Sequence, residues 1–184
     1  VSFSGTDGSI TGWKENLMMT YKSDLPCQKL AKDYVKETIE NIPETSYLFG
    51  LKKKKVYPKI YLTGHSKGGN LAMYAFLKNP ELQRYIEGVK SFDGPGFVDG
   101  FWQGDEDVSK ITNYIPKDSI VGRVLHHREQ TKIMDAQGSG LVQHDTLMWS
   151  VDVKDFNYCD SLTKESDDML EYLNKLLLNR SIEE

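Results

Sequence analysis

Two cysteines in 184 residues, Cys27 and Cys159, are too few and too far apart to form a disulfide framework or the paired spacing of a zinc site. That scarcity fits a reducing compartment, so a cytoplasmic setting is favoured, and both read as small buried hydrophobes. No apolar stretch approaches the roughly 18 residues that span a bilayer, which argues against any transmembrane helix. Positive charge is in deficit: 23 Lys and Arg against 27 Asp and Glu leave a formal charge of −4. Such a chain lacks the basic field that nucleic-acid binding needs. The one basic run, Lys52-Lys53-Lys54-Lys55, precedes a buried-looking strand and reads as a solvated loop. The spacings of a P-loop and of a dinucleotide fingerprint are missing too, so no nucleotide cofactor is expected. Gly104-Asp105-Glu106-Asp107 lacks the spacing of a Ca²⁺ loop, and no metal is expected either. Nothing in the pattern specifies an oligomeric state.

What is present is enough apolar residue, 39% of the chain, for one globular domain with a full core over residues 1–184. Val1 to Ser4 reads as a strand that breaks at Gly5-Thr6-Asp7-Gly8, and Trp13, Leu17 and Met18 mark a short helix. Asp24 and Pro26 start a longer helix with Ala31, Tyr34, Val35, Thr38 and Ile42 on one face, stopped by Pro43. Strands follow at Val56 to Leu62, Val89 to Phe92, Ile111 to Ile115 and Thr131 to Asp135, with a helix from Lys67 to Lys78 among them. Leu162 to Leu178 is a closing amphipathic helix with Met169, Leu173 and Leu176 on its stripe. Strand alternating with helix makes this an α/β protein, with a mostly parallel central sheet flanked by helices.

Tyr61 to Ala72 is the stretch that speaks to chemistry. Gly64-His65-Ser66-Lys67-Gly68 stands between a strand and a helix, where Gly-x-Ser-x-Gly forms a nucleophile elbow and exposes the serine on a sharp turn. The glycines allow a turn in which a Cβ at position 64 or 68 would crowd the backbone. Helix capping by Ser66 is the plainer alternative.

A serine alcohol becomes a useful nucleophile when an imidazole takes its proton and a carboxylate orients that imidazole. In α/β hydrolases the order is Ser, then Asp or Glu, then His, each on a loop at the carboxyl end of a strand. His144 alone of the four histidines follows the last strand. Asp118, after the strand Ile111 to Ile115, is the favoured carboxylate; Asp93, one strand earlier in Asp93-Gly94-Pro95-Gly96, is the second candidate. The oxyanion needs two N–H donors, for which Lys67 and Thr6 are the choices.

These residues, taken in order, resemble the class 3, fungal-type lipases of the α/β-hydrolase superfamily, and more closely a bacterial family of lipase-like proteins in that superfamily. Phe3-Ser4-Gly5-Thr6 through Trp13 is similar to the oxyanion segment, and Gly64 to Ala72 to Gly-His-Ser-Leu-Gly-Gly-Ala-Leu-Ala. Phe92-Asp93-Gly94-Pro95-Gly96 resembles the Pro-containing loop after the next strand, Asp118-Ser119-Ile120-Val121 the acid segment, and His144 to Trp149 the terminal His-x-x-x-x-Trp. Ser4 and Lys67 depart from the usual Arg and Leu. The resemblance implies an α/β-hydrolase fold whose first strands precede Val1, so that the chain is read as part of a longer polypeptide. It also implies Ser66, Asp118 and His144 as the triad, with Thr6 and Lys67 at the oxyanion.

The expected activity is hydrolysis of carboxylic esters or thioesters through an acyl-enzyme, on a small-molecule or lipid-like substrate and without a cofactor. Phe97, Phe101, Trp102, Leu147 and Met148 are the candidate acyl-pocket walls. A catalytically silent binding module and an acyltransferase using the same triad are the rival readings.

Overall fold

The structure, a computed structural model, describes residues 1–6, 18–47 and 52–180, with side chains of the last helix described through Leu173. Five strands form one sheet, in the order β1 (Ser2–Phe3), β4 (Ile60–His65), β5 (Ile86–Phe92), β6 (Ile111–Pro116) and β7 (Gln130–Met134). Every pairing in it is parallel. The strands β2 (Glu44–Tyr47) and β3 (Lys52–Lys55) form a separate antiparallel pair.

The strand leading to the serine begins later than the apolar run predicts. Residues 56–59 carry no regular structure and Val56 is exposed; Pro58 has no N–H to give to a ladder. From Ile60 onward β4 stays in register with β5 as far as His65 opposite Phe92. Ile60, Leu62 and Gly64 face inward while Tyr61, Thr63 and His65 face the other way, the period-two alternation of a strand.

Helix α1 (Pro26–Glu40) buries Gln28, Ala31, Val35 and Ile39, a stripe at helical spacing. Tyr34, expected on the inner face, is exposed. Helix α2 (Lys67–Leu77) is buried along its whole length, and it packs against both α1 and the strands β4 and β5. A helix enclosed on all sides cannot swing, so the residue at its start is held by the core. On the opposite sheet face, Tyr114, Met134, Ala136 and Trp149 form a second apolar cluster with Phe92, Met148 and Phe156 against it.

Two further expectations change. The four-lysine run is solvated but it is a strand, β3, in which Lys55 stands opposite Glu44. In the closing helix α3 (Lys164–Arg180) the inward face is Ser166, Leu170 and Leu173, and Met169 is exposed. Polar contacts set that rotation: Ser166 Oγ donates to the Ser119 carbonyl at 2.6 Å, and Arg123 pairs with Asp167 at 2.8 Å. The short helix expected around Trp13 and Leu17, and the side chains of Leu176 and Leu177, lie outside the described residues. Among the described residues no helix is long and apolar enough to cross a membrane.

Candidate active site

Ser66 occupies the turn between β4 and α2 with φ 57° and ψ −128°, a backbone conformation that L-residues avoid. Three contacts hold it there. Its N–H donates to the Phe92 carbonyl at 2.9 Å, and its own carbonyl accepts from Gly69 N–H at 2.9 Å. The flanking glycines provide the third: a Cβ on Gly64 would lie 2.2 Å from the Gly68 carbonyl carbon, and one on Gly68 would lie 2.2 Å from the Phe3 carbonyl oxygen. Only hydrogen fits at either position, which is the steric demand expected of an elbow. Ser66 makes no side-chain capping bond to α2.

The segment after β1 runs beside the serine. A Cβ on Gly5 would be 3.7 Å from Ser66 Cβ and 3.1 Å from the His65 carbonyl oxygen, so Gly5 and Thr6 leave their strand at the elbow.

His144 ends the 3-10 turn Gly140–His144, beyond β7. Its Nδ1–H donates to Asp93 Oδ2 at 2.6 Å. Asp93 is 1% exposed, and its other oxygen accepts from Ser119 Oγ at 2.5 Å and from Gly122 N–H at 3.0 Å. A buried carboxylate with three donors is well satisfied. Asp93 also sits at φ 50°, a second strained residue at the site.

Asp118, the carboxylate favoured from the order of elements, is therefore not the one on His144. Its Oδ1 accepts from Thr163 Oγ1 at 2.5 Å and its Oδ2 from Gln143 Nε2 at 3.1 Å, while its N–H donates to Gln143 Oε1 at 3.0 Å. Gln143 is fully buried and also donates to the carbonyls of Ala136 and Gly138. Asp118 thus ties the loop after β6 to the start of α3 and to the residue preceding His144. It braces the histidine loop from behind.

His65 touches that loop from the other side. Its Nε2–H donates to the His144 carbonyl at 2.7 Å, and the two rings lie 4.6 Å apart. Burial holds His65 below its ordinary pKa, outweighing the bond to that carbonyl, which acts in the opposite direction. His65 is a neutral spacer there.

The loop that carries Asp93 is pinned by two buried amides that sequence reasoning missed. Asn70, on α2, donates to the carbonyls of Pro95 and Gly96, and Asn113, on β6, donates to those of Gly94 and Gly122. The signal was available: an amide inside an otherwise apolar strand or helix is retained only if its bonds are made. Ser119 and Gln143 were missed because neither stands in an apolar run.

A cavity of about 130 Å³ opens on Ser66 and is lined also by Met19, Thr20, Lys67, Pro95, Val121, Val124 and Leu125. None of the five expected pocket residues is among these. Phe97 and Phe101 are core residues stacked at 3.9 Å, with Trp102 edge-on against both. Leu147 is 86% exposed, and Met148 packs against the second cluster. The reason is packing: those aromatics fill the space beside α2, and the residues after β6 reach the serine instead. Among the described residues, no group of three His, Cys, Asp or Glu side chains converges as metal ligands.

The molecule is an α/β protein that presents a serine on the turn from a parallel strand into a buried helix, with a histidine–aspartate pair whose aspartate follows the carboxyl end of the neighbouring strand. The chain belongs to the Mbeg1-like family, whose model matches residues 1–184. No curated protein matches this sequence.

Proposed function

We propose that the protein is a serine hydrolase of the α/β-hydrolase type, cleaving carboxylic esters or thioesters through an acyl-enzyme. The observation that carries the reading is the bond from His144 Nδ1–H to buried Asp93, whose chain neighbour Phe92 accepts from the N–H of a serine in an elbow conformation. With Nδ1 committed, Nε2 is the nitrogen left to accept a proton, and Asp93 fixes that tautomer.

In the proposed reaction Ser66 Oγ attacks the acyl carbon while His144 takes the hydroxyl proton. The C–O or C–S bond then breaks, and the leaving alcohol or thiol departs with that proton. Water adds to the acyl-serine by the same route, releasing the acid and restoring Ser66. The oxyanion is assigned to the N–H groups of Lys67, at the start of α2, and Thr6, in the segment beside the elbow. Asp93 replaces Asp118 as the acid in this reading, and Asp118 is a brace.

A fluorophosphonate probe followed by intact-protein mass spectrometry tests the assignment. One adduct is expected on the wild type, mapped to Ser66 and absent in S66A. A folded wild type that takes up no probe would instead mark a binding module that performs no chemistry.

A further inference from the structure

The cavity on Ser66 limits what an acyl-enzyme there can hold. We propose that it is the acyl pocket and that it restricts the enzyme to esters or thioesters of short acids, with Leu125 as the residue that sets the limit. This rests on the hydrolase reading above.

Size is the first argument. A volume of about 130 Å³ lies well below the roughly 300–1,000 Å³ of pockets that bury a drug-sized ligand, so a short acyl chain suits it better than a long one. The lining is the second: five of the eight residues, Met19, Pro95, Val121, Val124 and Leu125, are apolar, which suits a hydrocarbon tail, and the polar ones are Thr20, Ser66 and Lys67.

The wall, finally, is held so that it cannot recede. Val121, Val124 and Leu125 lie on the chain after β6, and that chain is strapped to the loop after β5. The Val124 carbonyl accepts from Gly96 N–H at 3.0 Å and from His127 Nε2–H at 3.1 Å. Phe97 and His126 exchange backbone bonds of 3.1 and 2.9 Å. Gly96 is packed so closely that a Cβ would lie 2.4 Å from the His126 carbonyl oxygen. His127 is held in turn by Glu129, whose carboxyl is 1% exposed and 2.6 Å from Nδ1. A longer tail would have to break these contacts.

Leu125 sits within this strap at φ 69°, where a leucine is strained and a glycine is not. Strain kept at a pocket wall points to a side chain whose place matters. The same fact gives a clean variant, because L125G removes the wall in a backbone conformation that glycine adopts without cost.

The experiment is kcat/KM on p-nitrophenyl acetate, butanoate, octanoate and dodecanoate, with fluorophosphonate labelling of Ser66 in parallel. The wild type is expected to peak at acetate or butanoate and to fall at least about tenfold by octanoate. In L125G the octanoate-to-butanoate ratio should rise by about tenfold or more. V121A, which trims another wall, should move the ratio the same way by a smaller factor, and it serves if L125G does not fold. A wild type that labels at Ser66 but peaks at octanoate or longer overturns the pocket assignment and leaves the hydrolase reading standing. So does an unchanged ratio in both variants. Absence of both labelling and hydrolysis removes the hydrolase reading, and the acyl pocket goes with it.

Discussion

Ser66 at φ 57° and Asp93 at φ 50° each hold a conformation that costs of order 1–3 kcal/mol, tolerable only where the surroundings over-determine it. For Ser66 the surroundings are two glycines with no room for a methyl group. G68A should accordingly destabilise the fold by several kcal/mol, about 3 or more, since its Cβ would meet backbone oxygen rather than a side chain that can turn away; a denaturant melt checks this. D118N should cost about 1–3 kcal/mol, because an amide hydrogen would face Gln143 Nε2 or Thr163 in place of an acceptor. A melt unchanged from wild type would remove Asp118 as a brace. The turn at Ser66 and the place of His144 after the last strand were legible in the sequence, the first from a local pattern and the second from the order of elements. The carboxylate that His144 contacts was not. Asp93 and Asp118 both follow strands at the same sheet edge, and the choice between them is made by Ser119, Gly122 and Gln143, which only the folded chain brings together.

Among the elements, α2 and the parallel strands were legible because their apolar runs match their burial. The pair β2 and β3 was not, since Lys52 to Lys55 has no apolar face and is ordered by its partner, with Lys55 also donating to the Glu40 carbonyl at 2.6 Å. The face of α3 was misread because a buried Ser166, bonded to the Ser119 carbonyl and to Arg123, turns the helix away from the Met169 stripe. Helix α1 offers a direct comparison of its two sides. I39A should cost about 2–5 kcal/mol at a fully buried position, while L30A, at a residue 69% exposed, should stay within about 0.5 kcal/mol. Equal losses in denaturant melts would show the helix to be seated on a different face.

For the whole molecule, the half-buried His65 and the buried Glu129 are among the described groups that make stability depend on acid. Burial keeps His65 below its ordinary 6.5, so the unfolded chain takes up a proton first; the contribution is intact above pH 6.5 and is lost as pH falls below it. Burial pushes Glu129 up, but the bond and charge of His127 outweigh it and hold the carboxyl below 4.5, so its share persists above pH 4.5 and is lost further into acid. Denaturation midpoints from about pH 7.5 to about pH 5 should fall for the wild type and fall less for H65Q, with Glu129 still charged over most of that range. Parallel profiles would show that His65 carries no such linkage. The claim on which the chemistry depends is that Asp93, and not Asp118, orients the histidine. Its most direct measurement is kcat for p-nitrophenyl acetate in D93N beside D118N: the account predicts a loss of about 10⁴-fold in D93N and a rate within about tenfold of wild type in D118N. The reverse order of losses would contradict it.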